Sequence, residues 1–355
     1  MLSFHSLRVL AVERIADDAA CVAVEIPAAL RDAYAHDAGQ YVTVRRTIGG
    51  REERRTYSIV TAPGGDVLRL GIRLQNHGRM SGELVCNLST GDLLDVGTPM
   101  GRFRTAVSAE REHSYVAFAA GSGITPILSL ATDILAREPR SRFTLFYGNR
   151  GISRTMFLEE TLALKNRHIE RFAVHFVMSR ESQQTEWLNG RLDAAKVREL
   201  ARHMPAVSNA DEYLICGPGD MVDGVRIALR ELNDRAAVRF ERFAAPPSSG
   251  APPVERPLPE ERLAMITVEM DGRRRSFPMA PSDESVLAAA ERAGIELPFS
   301  CRSGICATCR ARITVGEAVM AHNIALEPWE TAAGFVLCCQ ARPTTASLEI
   351  SYDHK

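Results

Sequence analysis

The chain has no excess of either charge and no basic region ahead of an apolar run at its N-terminus. Its 43 lysines and arginines nearly balance 44 aspartates and glutamates, so a net charge of −1 argues against a nucleic-acid or anionic membrane partner. The lack of a secretion signal predicts a cytoplasmic protein. Eight cysteines in such a reducing compartment indicate metal chemistry before disulfides.

An uncharged stretch from Ser114 to Thr132 is long enough to cross a bilayer. However, glycine and proline interrupt its middle, at residues 121–126. We therefore interpret it as a buried strand, a glycine loop and the first turns of a helix.

The 355 residues favour two or three domains. Residues 1–107 contain short alternating strands separated by turn signals, which predicts an antiparallel β-barrel. Residues 108–243 alternate strands with helices, which predicts an α/β doubly wound parallel sheet. Residues 244–262 are rich in proline and are predicted to be a semi-rigid linker. Residues 263–355 suggest a small α+β domain with a hairpin, a helix capped by Ser282 and a cysteine loop.

Three cysteines of that loop, Cys301, Cys306 and Cys309, have C-x4-C-x2-C spacing, and Cys339 is a fourth candidate. This is the ligand spacing of a plant-type [2Fe–2S] cluster. A zinc knuckle or buried free thiols are the alternatives, but zinc sites more often pair two C-x2-C arms and this chain has one. Cys338 adjoins Cys339, and on an extended segment only one of the two would face the cluster.

Three motifs in the first region follow one another in a fixed order. They are Arg55-Thr56-Tyr57-Ser58, Gly78-Arg79-Met80-Ser81 and Gly97-Thr98-Pro99-Met100-Gly101-Arg102-Phe103. They resemble the flavin motifs of the ferredoxin–NADP⁺ reductase superfamily. The resemblance implies that Arg55 binds a phosphate, that Tyr57 packs on the isoalloxazine ring and that Ser58 lies near its N5 atom. Gly78 and Ser81 would receive a pyrophosphate, which favours FAD over FMN.

The second region resembles the nicotinamide-nucleotide domain of the same superfamily. By that resemblance the dinucleotide would be bound by a glycine loop and by a Cys-Gly-Pro turn: Gly121, Gly123, Thr125, Pro126, Cys216, Gly217 and Pro218. Arg180 after Ser179 matches the position that holds the 2′-phosphate of NADPH, and Arg150 is expected at the end of the neighbouring strand. The adjacent Glu181 leaves NADH open. Glu241 would relay protons, and Phe243 would cover the flavin.

The last region resembles the β-grasp domain of plant-type ferredoxins. The family form of the fourth ligand, Leu-x-Cys-Gln, selects Cys339 and makes Cys338 a packing residue. Ser58, Cys216 and Glu241 are thus the predicted catalytic residues, with FAD, NADPH and a [2Fe–2S] cluster as cofactors. A flavin accepts a hydride and releases single electrons, so the domain order predicts a path from NAD(P)H to FAD, to the cluster and to a partner protein.

Residues 320–339 are most similar to the branch that holds the reductase components of phenylacetyl-CoA epoxidase and of Rieske-type steroid hydroxylases. The expected partner is an oxygenase component, and the di-iron epoxidase is preferred to a Rieske-type hydroxylase. A ferredoxin-type carrier without flavin activity is a third hypothesis. The partner's docking surface is left open.

Overall fold

The computed structural model describes residues 3–243 and 263–354. Its N-terminal part is a six-stranded antiparallel sheet. Its strands are β1 (Phe4–Ala16), β2 (Ala19–Glu25), β3 (Tyr41–Ile48), β4 (Arg51–Ser58), β5 (Val67–Arg73) and β6 (Leu93–Gly97). They lie in the order β4-β3-β6-β1-β2-β5, and a bridge between Ile59 and Leu70 joins the two edges. The predicted barrel is confirmed.

The alternation of apolar side chains explains why these strands enclose a core. Leu68, Leu70 and Ile72 of β5 are fully buried, whereas Arg69 between them is not. The long strand β1 has irregular pairing near Ala11 and Ala16, which obscures its period in the sequence. A short helix, α1 (Arg79–Gly82), continues into a π-helical turn at Glu83–Asn87.

The next sheet is parallel and has the order β11-β10-β7-β8-β9. Its strands are β7 (Ser114–Ala120), β8 (Arg142–Asn149), β9 (Phe172–Met178), β10 (Glu212–Pro218) and β11 (Ala237–Phe243). The helices are α2 (Ile124–Arg137), α3 (Leu158–Arg167), α4 (Ala194–His203) and α5 (Gly219–Leu232). One hydrophobic cluster contains residues of α2 and α3, and a second contains residues of α4 and α5. The doubly wound prediction is therefore confirmed.

These two sheets belong to one compact unit, Ser3–Ala244, and the C-terminal residues form a second unit. The second unit contains β12 (Ala264–Met270), β13 (Arg273–Met279), α6 (Val286–Arg292), β14 (Arg310–Val315), β15 (Ala318–Met320), α7 (Pro328–Ala332), β16 (Phe335–Leu337), β17 (Ala341–Pro343) and β18 (Ser347–Ser351). Its main sheet has the order β13-β12-β18-β14-β16, with β12 parallel to β18. The predicted α+β ferredoxin fold is confirmed.

Two local predictions in this unit are wrong. Ser285, not Ser282, caps α6, and its hydroxyl accepts a hydrogen bond from the N–H of Ala288 at 3.2 Å. Asp283 instead closes a preceding turn by accepting from the N–H of Ala280 at 2.7 Å. Cys338 and Cys339 lie in a turn after β16 and not on an extended segment.

The predicted linker, residues 244–262, lies outside the described residues. Ser114–Thr132 forms β7, a 3₁₀ turn and the start of α2, as predicted. Among the described helices, none is long and apolar enough to cross a membrane.

Candidate functional site

The first flavin motif lies at the end of β4. Ser58 is buried, whereas the side chain of Arg55 is half exposed and pairs with Glu53 at 3.1 Å. Tyr57 packs against the barrel core, and burial raises the pKa of its hydroxyl. The strand end therefore combines a cation, an aromatic ring and a hydroxyl, three group types suited to a flavin nucleotide.

The second flavin motif forms a tight turn at the start of α1. Gly78 is the N-terminal cap residue, and the Ser81 hydroxyl donates to its carbonyl at 3.2 Å. The same hydroxyl accepts from the N–H of Gln75 at 3.0 Å. A Cβ atom at Gly78 would lie 2.5 Å from the Ser81 oxygen, so the turn requires glycine there. Ser81 thus fixes the backbone of the predicted pyrophosphate site.

The three predicted catalytic residues come together from separate strands. Cys216 on β10 pairs in register with Glu241 on β11, and Ser58 from the barrel hydrogen-bonds the Glu241 carboxyl. Burial raises the pKa of Glu241 to about 8, although the bond with Ser58 lowers it. Burial also raises the pKa of the Cys216 thiol, with a smaller contribution from Glu241. Burial thus favours the protonated form of the Glu241 carboxyl and the neutral form of the Cys216 thiol.

The glycine loop packs directly on this group. Gly121 has a φ of +57°, and a Cβ atom at Gly123 would lie 2.1 Å from the carbonyl oxygen of Cys216. The buried Thr125 donates to the carbonyl of Ser122 at 2.8 Å, and Pro126 lies in the first turn of α2. These contacts hold the loop at the carboxyl ends of β7 and β10, where parallel sheets bind ligands.

The other predicted nucleotide residues lie at the same edge of the sheet. Gly217 and Pro218 end β10, and Pro218 pairs in register with Phe243 of β11. Arg150 follows β8, and its carbonyl accepts from the N–H of Arg180 after β9 at 2.9 Å. Repulsion from the positive charge of Arg180 is the main reason why the pKa of Arg150 is lowered.

Arg150, Arg180 and Ser179 form one surface beyond β8 and β9. The Ser179 hydroxyl donates to the carbonyl of Asn149 at 3.2 Å. The neighbouring Glu181 accepts from the N–H of Ile152 at 2.8 Å. Its carboxylate is thereby directed at the backbone, which leaves the two guanidinium groups to attract an anion.

The cysteine loop brings its thiols together in pairs. A hydrogen bond with Cys306 lowers the pKa of Cys301, and one with Cys309 lowers the pKa of Cys339. The N–H groups of Ser303 and Cys306 both donate to the sulfur of Cys301 at 3.4 Å. Two pairs of thiols suit two irons, whereas one zinc ion needs its donors around a single point.

The turn after β16 places the two adjacent cysteines in different surroundings. Cys339 lies toward the loop, and Gln340 donates to its sulfur at 3.7 Å. Cys338 is fully buried in the hydrophobic core, where burial raises its pKa. Gly304 has a φ of +75°, and a Cβ atom there would lie 2.9 Å from the carbonyl oxygen of His322. The loop therefore depends on glycine at this position.

One residue at the predicted nucleotide site belongs to no motif in the sequence. The guanidinium of Arg73, on β5 of the barrel, lies 3.8 Å from the Cβ position of Gly121. It donates to the carbonyl of Arg154 at 2.6 Å and lies 3.8 Å from the carboxylate of Asp18. Only the packing of the barrel on the parallel sheet brings this charge to the glycine loop.

Comparisons with known proteins agree with the order of these sites. Residues 6–105 match the oxidoreductase FAD-binding domain family, and residues 118–226 match the oxidoreductase NAD-binding domain family. Residues 268–344 match the 2Fe–2S iron–sulfur cluster binding domain family. The three predicted cofactor types therefore each have a matching domain.

Two curated relatives match this chain over nearly its full length. The chain is 36% identical to a subunit of the 1,2-phenylacetyl-CoA epoxidase of Escherichia coli (strain K12), over 100% of this chain and 99% of that protein. It is 30% identical to the 3-ketosteroid-9-alpha-monooxygenase ferredoxin reductase component of Rhodococcus rhodochrous, over 98% of this chain and 96% of that protein. The chain belongs to this family of oxygenase reductases.

The fold of this reductase is also found in a solved structure. Phthalate dioxygenase reductase aligns with a TM-score of 0.60 and 24% identity, over 98% of both chains. The protein is an oxidoreductase with FAD-binding, NAD-binding and [2Fe–2S] domains. These matches favour an oxidoreductase over the hypothesis of a ferredoxin-type carrier without flavin activity.

Proposed function

We propose that this reductase carries electrons from NADPH through FAD and a [2Fe–2S] cluster to an oxygenase, phenylacetyl-CoA epoxidase, in the cytoplasm. The observation that carries the proposal is the full-length 36% identity to a subunit of that epoxidase. In this assignment residues 1–107 bind FAD, residues 108–243 bind the dinucleotide and residues 263–355 hold the cluster. FAD, when bound, converts hydride transfer into single-electron transfer.

Hydride transfer is assigned to the group formed by Ser58, Cys216 and Glu241. The Glu241 carboxyl would hold a proton and form a hydrogen bond with the Ser58 hydroxyl. This bond would orient the hydroxyl toward the flavin. The neutral Cys216 thiol adds no charge beside the nicotinamide. Arg55, Tyr57, Gly78 and Ser81 would bind FAD, and Phe243 would cover its ring.

The dinucleotide is assigned to the edge of the parallel sheet. Gly121, Gly123, Thr125 and Pro126 would position it, together with the Gly217-Pro218 turn. Arg150, Ser179 and Arg180 favour NADPH because guanidinium groups bind a 2′-phosphate, whereas an NADH site would use an acidic residue on the ribose. Glu181 is held by the N–H of Ile152, which supports this choice.

The cluster is assigned to four thiolates. Cys301 and Cys306 would bind one iron, and Cys309 and Cys339 would bind the other, because the thiols already approach each other in these pairs. The N–H groups of Ser303 and Cys306 would stabilise the negative charge on Cys301.

The proposed partner is tested by reconstitution. With the purified oxygenase component of phenylacetyl-CoA epoxidase, we expect NADPH oxidation that depends on phenylacetyl-CoA and yields its epoxide. A second reconstitution replaces the epoxidase with the oxygenase of a 3-ketosteroid 9α-monooxygenase. This partner is chosen because the chain is 30% identical to the reductase component of such an enzyme. Coupling to the steroid enzyme alone would refute the epoxidase assignment.

A cluster variant provides the matched control. Cys306→Ser should keep NADPH-dependent reduction of ferricyanide, which can take electrons from the flavin, and should lose transfer to the oxygenase. If the Cys306→Ser variant transferred electrons to the oxygenase as fast as the wild type does, the assigned electron path would be contradicted.

A further inference from the structure

Asn149, the last residue of β8, has a buried side chain that the proposed reaction does not use. It is 7% exposed, and within residues 3–243 and 263–354 neither its amide oxygen nor its amide nitrogen has a hydrogen-bond partner of acceptable geometry. Its backbone carbonyl, by contrast, accepts from the N–H and hydroxyl of Ser179. A buried polar group without a partner is rare in proteins and requires an explanation.

The side chain of Asn149 lies on the face of the sheet that carries the glycine loop. Residues two apart on a strand point to the same face, so Asn149 shares the face of Tyr147. The Tyr147 hydroxyl donates to the carbonyl of Gly121 at 3.0 Å and lies 3.2 Å from the carbonyl of Met156. The oxygen of that hydroxyl lies close enough to the Asn149 amide to interact with its N–H groups, but its single proton is directed to these carbonyls and leaves the amide oxygen without a donor.

The strand order places Asn149 between two positively charged positions. β8 lies between β7, which leads into the glycine loop, and β9, which leads into Arg180. Arg73 brings a guanidinium to Gly121 on the first side, and Arg150 and Arg180 provide two on the second. Neighbouring strands lie about 4.8 Å apart, so the two positions are about 10 Å apart.

NADPH has one sugar with phosphates on two sides. Its adenosine ribose joins the pyrophosphate at the 5′ position to the 2′-phosphate, and its 3′-hydroxyl remains free. A hydroxyl both donates and accepts hydrogen bonds, as does a side-chain amide, whereas a phosphate oxygen only accepts. The unpartnered amide therefore suits the sugar better than either phosphate.

We propose that the Asn149 amide binds the free 3′-hydroxyl of the adenosine ribose, between the pyrophosphate at the glycine loop and the 2′-phosphate at Arg180. The inference rests on the proposed use of NADPH. It assigns to Asn149 a substrate-positioning role for the half of the dinucleotide that does not react.

Two variants test the proposal on the complete holoenzyme. Asn149→Ala and Asn149→Leu should weaken the binding of 2′,5′-ADP by roughly three- to tenfold in calorimetry, the loss expected for one or two neutral hydrogen bonds. The KM for NADPH should rise by a similar factor with little change in kcat. Reduced nicotinamide mononucleotide, which lacks the adenosine half, should be oxidised as by the wild type.

Thermal stability separates binding from a structural role. Asn149→Leu replaces an unpartnered amide with an apolar group of similar size, so the unliganded variant should melt at the same temperature as the wild type or higher. Asn233→Ala is the control, because the Asn233 amide donates to the carbonyl of Ala210 at 3.0 Å, before β10 begins. This variant should melt lower and bind 2′,5′-ADP normally.

Three results would overturn the inference. They are unchanged 2′,5′-ADP binding in both Asn149 variants, an equal loss with the mononucleotide, and a lower melting temperature without a loss of binding. Failure of the proposed function is separate, because wild-type protein would then fail to oxidise NADPH or to bind 2′,5′-ADP.

Discussion

Replacing Glu241 with glutamine should remove a pH dependence from the stability of the unit formed by residues 3–244. In the wild type, burial raises the pKa of this carboxyl from 4.5 to about 8. Between these values the folded protein keeps a proton that the unfolded chain releases, so stability falls as pH rises and stops falling above pH 8. Glutamine stays neutral throughout this range and should abolish this part of the decline.

The size of the effect follows from the shift. Each pKa unit corresponds to about 1.4 kcal/mol, so the wild type should lose up to about 3 kcal/mol between pH 6 and pH values above 8. For a unit of this size, 1 kcal/mol moves the melting temperature by roughly 2–4 °C. The variant should therefore gain roughly 5–10 °C on the wild type between pH 6 and pH 9.

The assay is thermal melting at several pH values, with the fluorescence of released flavin as the readout. Glu110→Gln, which alters an exposed carboxylate, serves as the control and should follow the wild type at every pH. If the difference between Glu241→Gln and the wild type were the same at pH 6 and pH 9, the carboxyl would already be ionised and the proton-holding role would be refuted.

Four further substitutions test the other assignments. Cys339→Ser should abolish or distort the visible spectrum of the cluster, and Cys338→Ser should leave it unchanged. The reverse outcome would show that Cys338 is the ligand. Arg180→Ala should lower kcat/KM for NADPH by roughly 10–100-fold and change the value for NADH little; equal losses would contradict a 2′-phosphate site. Gly123→Ala would force a Cβ to within 2.1 Å of the Cys216 carbonyl oxygen, so we expect a destabilisation of roughly 1–3 kcal/mol by urea unfolding and slower NADPH oxidation, and wild-type behaviour would refute the required contact.

The sequence predicts the three folds because their signals are local. Alternating strands, strand–helix repeats and the C-x4-C-x2-C spacing depend on residues close together in the chain. The same locality explains the wrong cap of α6, since Ser282 and Ser285 are equally good caps and the Asp283 turn decides between them. It also explains the wrong local structure at Cys338 and Cys339, because the apolar run before them favours a strand and the turn that follows β16 has no signal of its own.

Other features of the site depend on tertiary packing. Ser58 meets Glu241 only because the barrel packs on the parallel sheet, and the pKa of about 8 follows from that burial. Arg73 and Asn149 carry no motif, and each gains its meaning from neighbours on other strands. A polar residue at the carboxyl end of a parallel strand is the signal that could have drawn attention to Asn149.

The central claim is that one chain passes electrons from NADPH through a flavin to a cluster. An anaerobic titration with NADPH, followed in the visible spectrum, tests it most directly. Full reduction should require about 1.5 equivalents, because the flavin takes two electrons and the cluster takes one, and the bands of both should bleach. Bleaching of the flavin alone, with an end point near one equivalent and cluster bands unchanged, would contradict the account.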